Sequence, residues 1–217
     1  HHRSPLPQKI MALLKQMGLP DAHRVYAAYP HQLSGGQRQR IVIAQALACE
    51  PALVVADEPT ASLDPVTASQ IIELLGQHQQ RLHTAFLFIS HDLVPLARLA
   101  DRIIVMYAGR IVEQGSRADV LERPLHPYTK ALLACALEQE TLSDTAEVKM
   151  EALVEERPAG KRLIPTIPGR APDPMDDIAG CDFESRCPDR MEICRTRFPG
   201  ETRPEANRTV HCFKYGG

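Results

Sequence analysis

No apolar run in this chain of 217 residues approaches the ~20 needed to cross a bilayer. Charge of one sign is missing as well. The 25 basic residues face 27 acidic ones, for a net of −2, so electrostatics give no reason to propose nucleic acid as a partner. His1-His2-Arg3-Ser4-Pro5 has no apolar signal core, and a cytosolic chain is expected. Four of the six cysteines lie after Gly180, yet none of them forms the Cys-x₂₋₄-Cys knuckle usual in structural zinc sites. Also absent is any Gly-x₄-Gly-Lys-[Ser/Thr] loop. The only Gly-Lys pair is Gly160-Lys161, with Glu155 where the first glycine would stand and Arg162 in place of Ser/Thr.

What is present is enough for a packed core, at 44% apolar residues, and its chemistry concentrates between Leu33 and Asp64. Leu33-Ser34-Gly35-Gly36-Gln37-Arg38-Gln39-Arg40 opens a helical pattern that continues to Ala48. Ser34 is a good N-cap, and the two glycines let backbone approach a ligand. The free N–H groups and positive dipole end of such a helix favour an anion in front of them. Leu53 to Asp57 is apolar until its last position, which predicts a strand buried on both faces of a parallel sheet. Ligands gather beyond the carboxyl ends of such strands, where Asp57 and Glu58 stand and point opposite ways. Asp57 can hold a hydrated Mg²⁺ there while Glu58 orients and deprotonates a water. The bland alternative, a helix cap followed by a solvated acidic turn, explains either half but not both in this order.

These residues resemble ABC ATPases. Leu33–Gln37 is similar to their signature motif, and Leu53–Glu58 to the Walker B strand with its catalytic glutamate. Ser62-Leu63-Asp64 resembles the D-loop and Ser90-His91-Asp92 the switch histidine. His126-Pro127-Tyr128-Thr129, followed by Ala131-Leu132-Leu133, resembles a segment of oligopeptide and dipeptide importer ATPases. The resemblance implies an α/β fold of the P-loop NTPase type, here incomplete, with a parallel sheet and flanking helices. A small irregular cysteine-rich extension would follow it. It implies ATP and Mg²⁺ as ligands, Glu58 and His91 as catalytic residues, and Ser34, Gly35, Gly36, Gln37 and Asp64 on the nucleotide. Two such subunits, alike or different, sandwich two ATPs, so Ser34–Gly36 of one would cap the γ-phosphate held by the other. Transmembrane permeases and, indirectly, a solute-binding protein would be the further partners, at the cytoplasmic face of the membrane. The residues before Leu33 are too few to hold the family's Walker A loop, base-stacking aromatic and Q-loop glutamine. Autonomous hydrolysis, and tight binding of Mg·ATP, are therefore not expected of this chain alone. The alternatives are a non-transport soluble ABC ATPase and a truncated, non-catalytic partner-binding form.

Around these motifs the pattern predicts a helix over 6–17 closed by Gly18, and a short helix after Pro20-Asp21. Cys49 reads as a buried structural thiol. Asp64 caps a helix that begins at Pro65 and packs through Ile71, Ile72, Leu74 and Leu75. Thr84–Ser90 is a second central parallel strand, which delivers His91 to the edge shared by Asp57 and Glu58. A neutral imidazole there can reach the γ-phosphate and the attacking water while Glu58 acts as base. Ile103–Tyr107, Ala108-Gly109 and Ile111–Glu113 form a hairpin, and Ser116 opens a capped helix. Cys135 reads as core. The domain pattern is 1–139 for the later part of a nucleotide-binding domain, divided at 50 between signature helix and core. A charged linker over 140–162 leads to a proline-rich strap and four-cysteine extension over 163–217.

Cys181, Cys187, Cys194 and Cys212 are separated by five, six and seventeen residues. Four thiolates can ligate Zn²⁺ or an iron–sulfur cluster, and widely spaced ligands suit the larger group. The segment resembles the C-terminal extension of peptide-importer ATPases, which implies a [4Fe–4S] cluster, with Zn²⁺ left open as the lesser reading. His211 is expected to be a bystander.

Overall fold

The computed structural model describes residues 6–61, 63–82, 84–93, 98–142, 166–173, 175–176 and 178–216, the side chains of residues 82 and 137–142 excepted. Ser62, residues 143–162 of the expected linker and the first residues of the strap lie outside that description. Two compact units result, His1–Leu99 and Ala100–Gly217.

In the first unit, apolar residues at helical spacing form α1 (Leu6–Gln16), with Leu14 buried and Ile10 and Leu13 packed on the same core. Gly18 ends the segment at φ +69°, where a Cβ would also meet Nη1 of Arg40 at 2.5 Å. α2 (Ala22–Ala27) starts at Asp21, whose carboxylate accepts the Arg24 N–H at 3.3 Å. α3 (Gly35–Leu47) starts at Ser34, and α4 (Pro65–Leu82) at Asp64, which accepts the Thr67 N–H at 3.0 Å. Ile71, Leu74 and Leu75 of α4 join Ile43, Ala44 and Leu47 of α3 in one core. Cys49 is exposed rather than buried. It stands two residues past Leu47, and about 100° of helical rotation per residue turns it away from that core.

Between α3 and α4 runs β1 (Leu53–Asp57), and after α4 comes β2 (Ala85–Ile89). They pair in parallel, Leu53 opposite Ala85 and Asp57 opposite Ile89. The expected parallel pairing is present; the expected burial on both faces is not. Val54, Phe86 and Phe88 pack on the core, while Leu53, Val55, Leu87 and Ile89 on the other face are about half exposed. Side chains alternate across a strand, and among the described residues this two-stranded sheet is covered on one face.

The second unit is built on a hairpin, β3 (Arg102–Tyr107) and β4 (Arg110–Ser116). Ala108 and Gly109 take φ +47° and +80°, as the two central residues of a type I′ turn must. The cysteine-rich tail contributes two strands to the same antiparallel sheet, β5 (Thr202–Glu205) and β6 (Arg208–Val210), in the order β3-β4-β6-β5. At four and three residues they are too short for an alternating pattern to show, so sequence reading left the tail irregular. Ser116 caps α5 (Arg117–Glu122), and Pro127 opens α6 (Pro127–Leu142). Cys135, on α6, is half-buried rather than core.

Phe183 of the tail is 1% exposed, with ring centroids 5.2 Å from Tyr107, 5.4 Å from Tyr128 and 6.0 Å from His126. Beside this cluster lies a fully buried ion pair. Glu113 accepts from Arg208 Nη2 at 2.9 Å and from the N–H groups of Leu125 at 2.9 Å and His126 at 2.8 Å. Arg208 also donates to the carbonyl of Arg123. Burial pushes the His126 imidazole down to about 4, and the ring accepts the Tyr128 N–H at Nδ1.

Candidate functional site

β1 and β2 end side by side because they pair in register. Glu58, one residue past β1, donates its N–H to Ile89 O at 2.9 Å and so extends the ladder by one rung. It does so at φ +44°, a sparsely populated conformation for a residue with a Cβ. Pro59 follows, and a residue before proline is pushed toward extended backbone, which sharpens the conflict. Such a conformation costs about 1–3 kcal/mol and persists only where its surroundings fix it.

Its consequence is a carboxylate turned onto His91. Glu58 Oε1 accepts the His91 N–H at 3.1 Å and lies 2.8 Å from His91 Nδ1. The His91 hydrogen bond lowers Glu58 below the usual carboxylate value, and Glu58 in turn raises His91. Each shift favours the charged form of its own group. The side chains are 79% and 37% exposed for His91 and Glu58, so water screens their attraction and the pair matters for placement more than for stability. Asp57 closes β1 at the same edge, opposite Ile89.

The other predicted residues gather where α3 meets α4. Gln37 N–H donates to Ser34 Oγ at 3.2 Å while Ser34 N–H donates to Gln37 Oε1 at 3.1 Å, a reciprocal cap. Gln37 is thus engaged with its own helix. A Cβ on Gly36 would meet Thr67 Cγ2 at 2.7 Å, whereas on Gly35 the nearest atom is Leu63 Cδ2 at 4.0 Å. Gly36 is therefore required by packing, and Gly35 is not. Ser34 and Gly35 are exposed. Asp64 is held below its usual value by its hydrogen bonds to Thr67 at the start of α4.

Sequence reading missed two side chains here. Gln39 Nε2 donates to Pro59 O at 2.8 Å, and Arg40 donates to Met17 O at 2.9 Å and to Gln70 Oε1 at 2.7 Å. Both span long sequence separations, and only their place just after Ser34 on one helix could have marked them.

The four tail cysteines lie in the second unit. Cys194 is buried and the other three are half-buried. Cys181 N–H donates to Cys194 O at 2.8 Å, and a Cβ on Gly180 would stand 2.3 Å from that oxygen, so the crossing needs glycine. Burial raises the thiols of Cys181, to about 11, and of Cys187 and Cys212, and the neighbouring cysteines raise them further. Among the described residues, no three His, Cys, Asp or Glu side chains group so as to hold a metal ion. His211 Nδ1 lies 3.3 Å from Pro199 O. Arg186, next to Cys187, clasps the strap through the carbonyls of Ile167 and Pro168, both at 2.9 Å, and donates to the Tyr107 hydroxyl at 3.1 Å.

Two family descriptions match the chain: "ABC transporter" over residues 5–61, and "Oligopeptide/dipeptide transporter, C-terminal region" over 112–162 and 150–194. The dipeptide transport ATP-binding protein DppD of Bacillus subtilis is 40% identical over 206 residues, which are 95% of this chain and 56% of that protein. The oligopeptide transport ATP-binding protein AppD of the same organism is 39% identical over 208 residues, 96% of this chain and 58% of the relative. The oligopeptide transport ATP-binding protein OppD of Escherichia coli is 38% identical over 207 residues, 95% and 56% of the two chains. The chain therefore spans little more than half the length of these relatives. Over nearly its whole length this chain is thus similar to the ABC transporter ATP-binding proteins of the oligopeptide/dipeptide type.

Proposed function

We propose that this chain is part of the energy-coupling ATPase subunit of an ABC importer for peptides or related solutes. The contact between Glu58 and His91 at the shared edge of β1 and β2, beside Asp57, carries this reading. Glu58 accepts the proton of a water attacking the γ-phosphate of ATP, and His91 keeps that carboxylate aimed. Asp57 would hold Mg²⁺, which when bound neutralises charge developing on the phosphates. Ser34, Gly35 and Gly36, with Gln37 as their cap, offer an exposed helix start to the γ-phosphate held by a second ATPase subunit. Asp64 lies at the same junction. Transmembrane permeases, served by a solute-binding protein, receive the movement at the cytoplasmic face of the membrane. No helix among the described residues is long and apolar enough to cross a membrane itself.

Cys181, Cys187, Cys194 and Cys212 are proposed to hold a [4Fe–4S] cluster, with Zn²⁺ as the second reading. Four cysteines in one tail, one buried and three half-buried, are the donor set that supports this reading. Burial favours the neutral thiols, and a bound metal would hold them as thiolates. Anaerobically purified protein should show broad visible absorption that Cys181→Ser abolishes. A colourless, iron-free preparation overturns the cluster.

The test of the main reading joins the chain behind a segment that carries a Gly-x₄-Gly-Lys-[Ser/Thr] loop. Mg²⁺-dependent ATP hydrolysis is expected, with Glu58→Gln lowering kcat by about 10²–10⁴ while ATP binding persists. Full activity of Glu58→Gln, or no hydrolysis by the joined protein, overturns it.

A further inference from the structure

We infer that Gln39 is the positioning residue for Glu58, tying the helix that presents Ser34 to the strained turn that aims the carboxylate. The functional meaning rests on the reading of Glu58 as base, whereas the mechanical claim stands on the geometry alone. Glu58 has φ +44° immediately before a proline, so two steric preferences oppose its conformation. Something outside the turn must hold it there. Backbone supplies part of the restraint: Glu58 N–H to Ile89 O at 2.9 Å and Ala61 N–H to Glu58 O at 3.3 Å. The next peptide carbonyl, on buried Pro59, receives the Gln39 carboxamide at 2.8 Å. Gln39 is half-buried and sits a little more than one turn into α3, behind Ser34 and its cap.

The arrangement makes one rigid path from the exposed Ser34 turn to the Glu58 carboxylate. A helix displaced by whatever Ser34 and Gly35 meet draws Gln39 with it, and with Gln39 the carbonyl that fixes the Glu58 turn. Within one chain, the group that contacts a neighbouring molecule is thereby connected to the group proposed to carry the chemistry. Gly36 strengthens the path, because its missing Cβ lets α3 rest on Thr67 without a gap.

The experiment measures amide hydrogen exchange by NMR on the whole chain, without nucleotide. Gln39→Met keeps the side-chain length and removes the donor. Roughly fivefold faster exchange is expected at the amides of His91 and Glu58, the yield of one lost hydrogen bond, with Ile71 and Leu75 unchanged. Gln39→Lys retains a donor and should restore slow exchange at both amides. Unchanged exchange at His91 and Glu58 in folded Gln39→Met overturns the inference. So does equal acceleration at Ile71 and Leu75, which marks general loosening, and so does failure of Gln39→Lys to restore. Should Gln39→Met not fold, Gln39→Glu, equally long and without a donor at neutral pH, is read the same way. No nucleotide is involved, so a negative result here leaves the ATPase reading standing. An inactive joined protein sinks that reading and leaves this measurement intact.

Discussion

The two units solve opposite problems with polar groups. In the first, Glu58 and His91 meet in the open, where water screens them, and the chain holds Glu58 in a strained conformation to bring them together. In the second, Glu113 and Arg208 meet where almost no surface remains, and backbone N–H groups of Leu125 and His126 and the carbonyl of Arg123 add to their contact, while Arg208 Nε stays without a partner. An exposed pair contributes placement and little stability. A buried pair contributes little more than an apolar substitute would, but becomes very costly once one member is gone. The difference teaches that burial, not proximity, decides whether a charged contact is a tool or a rivet.

Removing one half of the buried pair should therefore give the largest effect. Arg208→Met is expected to cost the second unit about 3–5 kcal/mol, because Glu113 stays buried with its charge unanswered. A paired change, Glu113→Leu with Arg208→Met, should recover part of that loss, limited by the N–H groups of Leu125 and His126 left without their acceptor. Urea unfolding checks both, and an Arg208→Met variant as stable as the parent would break the contrast.

Neither Glu113 nor Arg208 could be picked out of the sequence. They are 95 residues apart, and each taken singly looks like an ordinary strand-edge charge. Short motifs fared differently: Asp57, Glu58 and His91 were legible because each sits at the end of a short apolar run. Pairing those runs in parallel fixes the shared edge without further information. The same runs misled on burial. Leu-Val-Val-Ala is apolar at every position, so nothing local tells a strand covered on both faces from one covered on one. Cys49 misled for a related reason, since a thiol beside a helix end carries no sign of which way it faces. Gln39 and the tail strands depend on contacts with distant partners, which periodicity does not record.

The glycines of the Ser34 turn offer a contrast within the first unit. Gly36→Ala places a methyl against Thr67 and should cost about 1–3 kcal/mol by overpacking. Gly35→Ala has open space and should be neutral or stabilise by up to about 1 kcal/mol, since alanine loses less freedom in a helix. Thermal unfolding of the two variants decides it. Equal effects would mean that α3 does not rest on α4 as described.

Smaller still is the pH dependence of the exposed pair. His91 is raised by Glu58, so its contribution is complete below the unfolded imidazole pKa and fades as pH rises through the higher folded value. Glu58 is lowered, so its contribution is present above the unfolded carboxylate pKa and fades as pH falls through the lower folded value. The pair is therefore intact from mildly acidic to near-neutral pH. Glu58→Gln should bring the His91 titration, followed by NMR, back down toward its ordinary value. A titration unmoved by that change would separate the two residues in solution.

The open face of β1 and β2 should give the smallest effect, although its residues are among the most apolar in the chain. Val55 and Leu87 face each other across the pair and are 58% and 47% exposed, so much of their surface stays in water after folding. Val55→Thr keeps the β-branch that suits a strand, and Leu87→Thr adds one, while both trade apolar surface for a hydroxyl that water can satisfy. Each is expected to change stability by no more than about 0.5 kcal/mol, the range of ordinary surface substitutions. Ile71→Ala, by contrast, empties a site that is fully buried and should cost about 2–5 kcal/mol. If Val55→Thr destabilised the chain as strongly as Ile71→Ala, this face would have to be covered in solution. The edge that carries Asp57, Glu58 and His91 would then belong to a sheet closed on both sides.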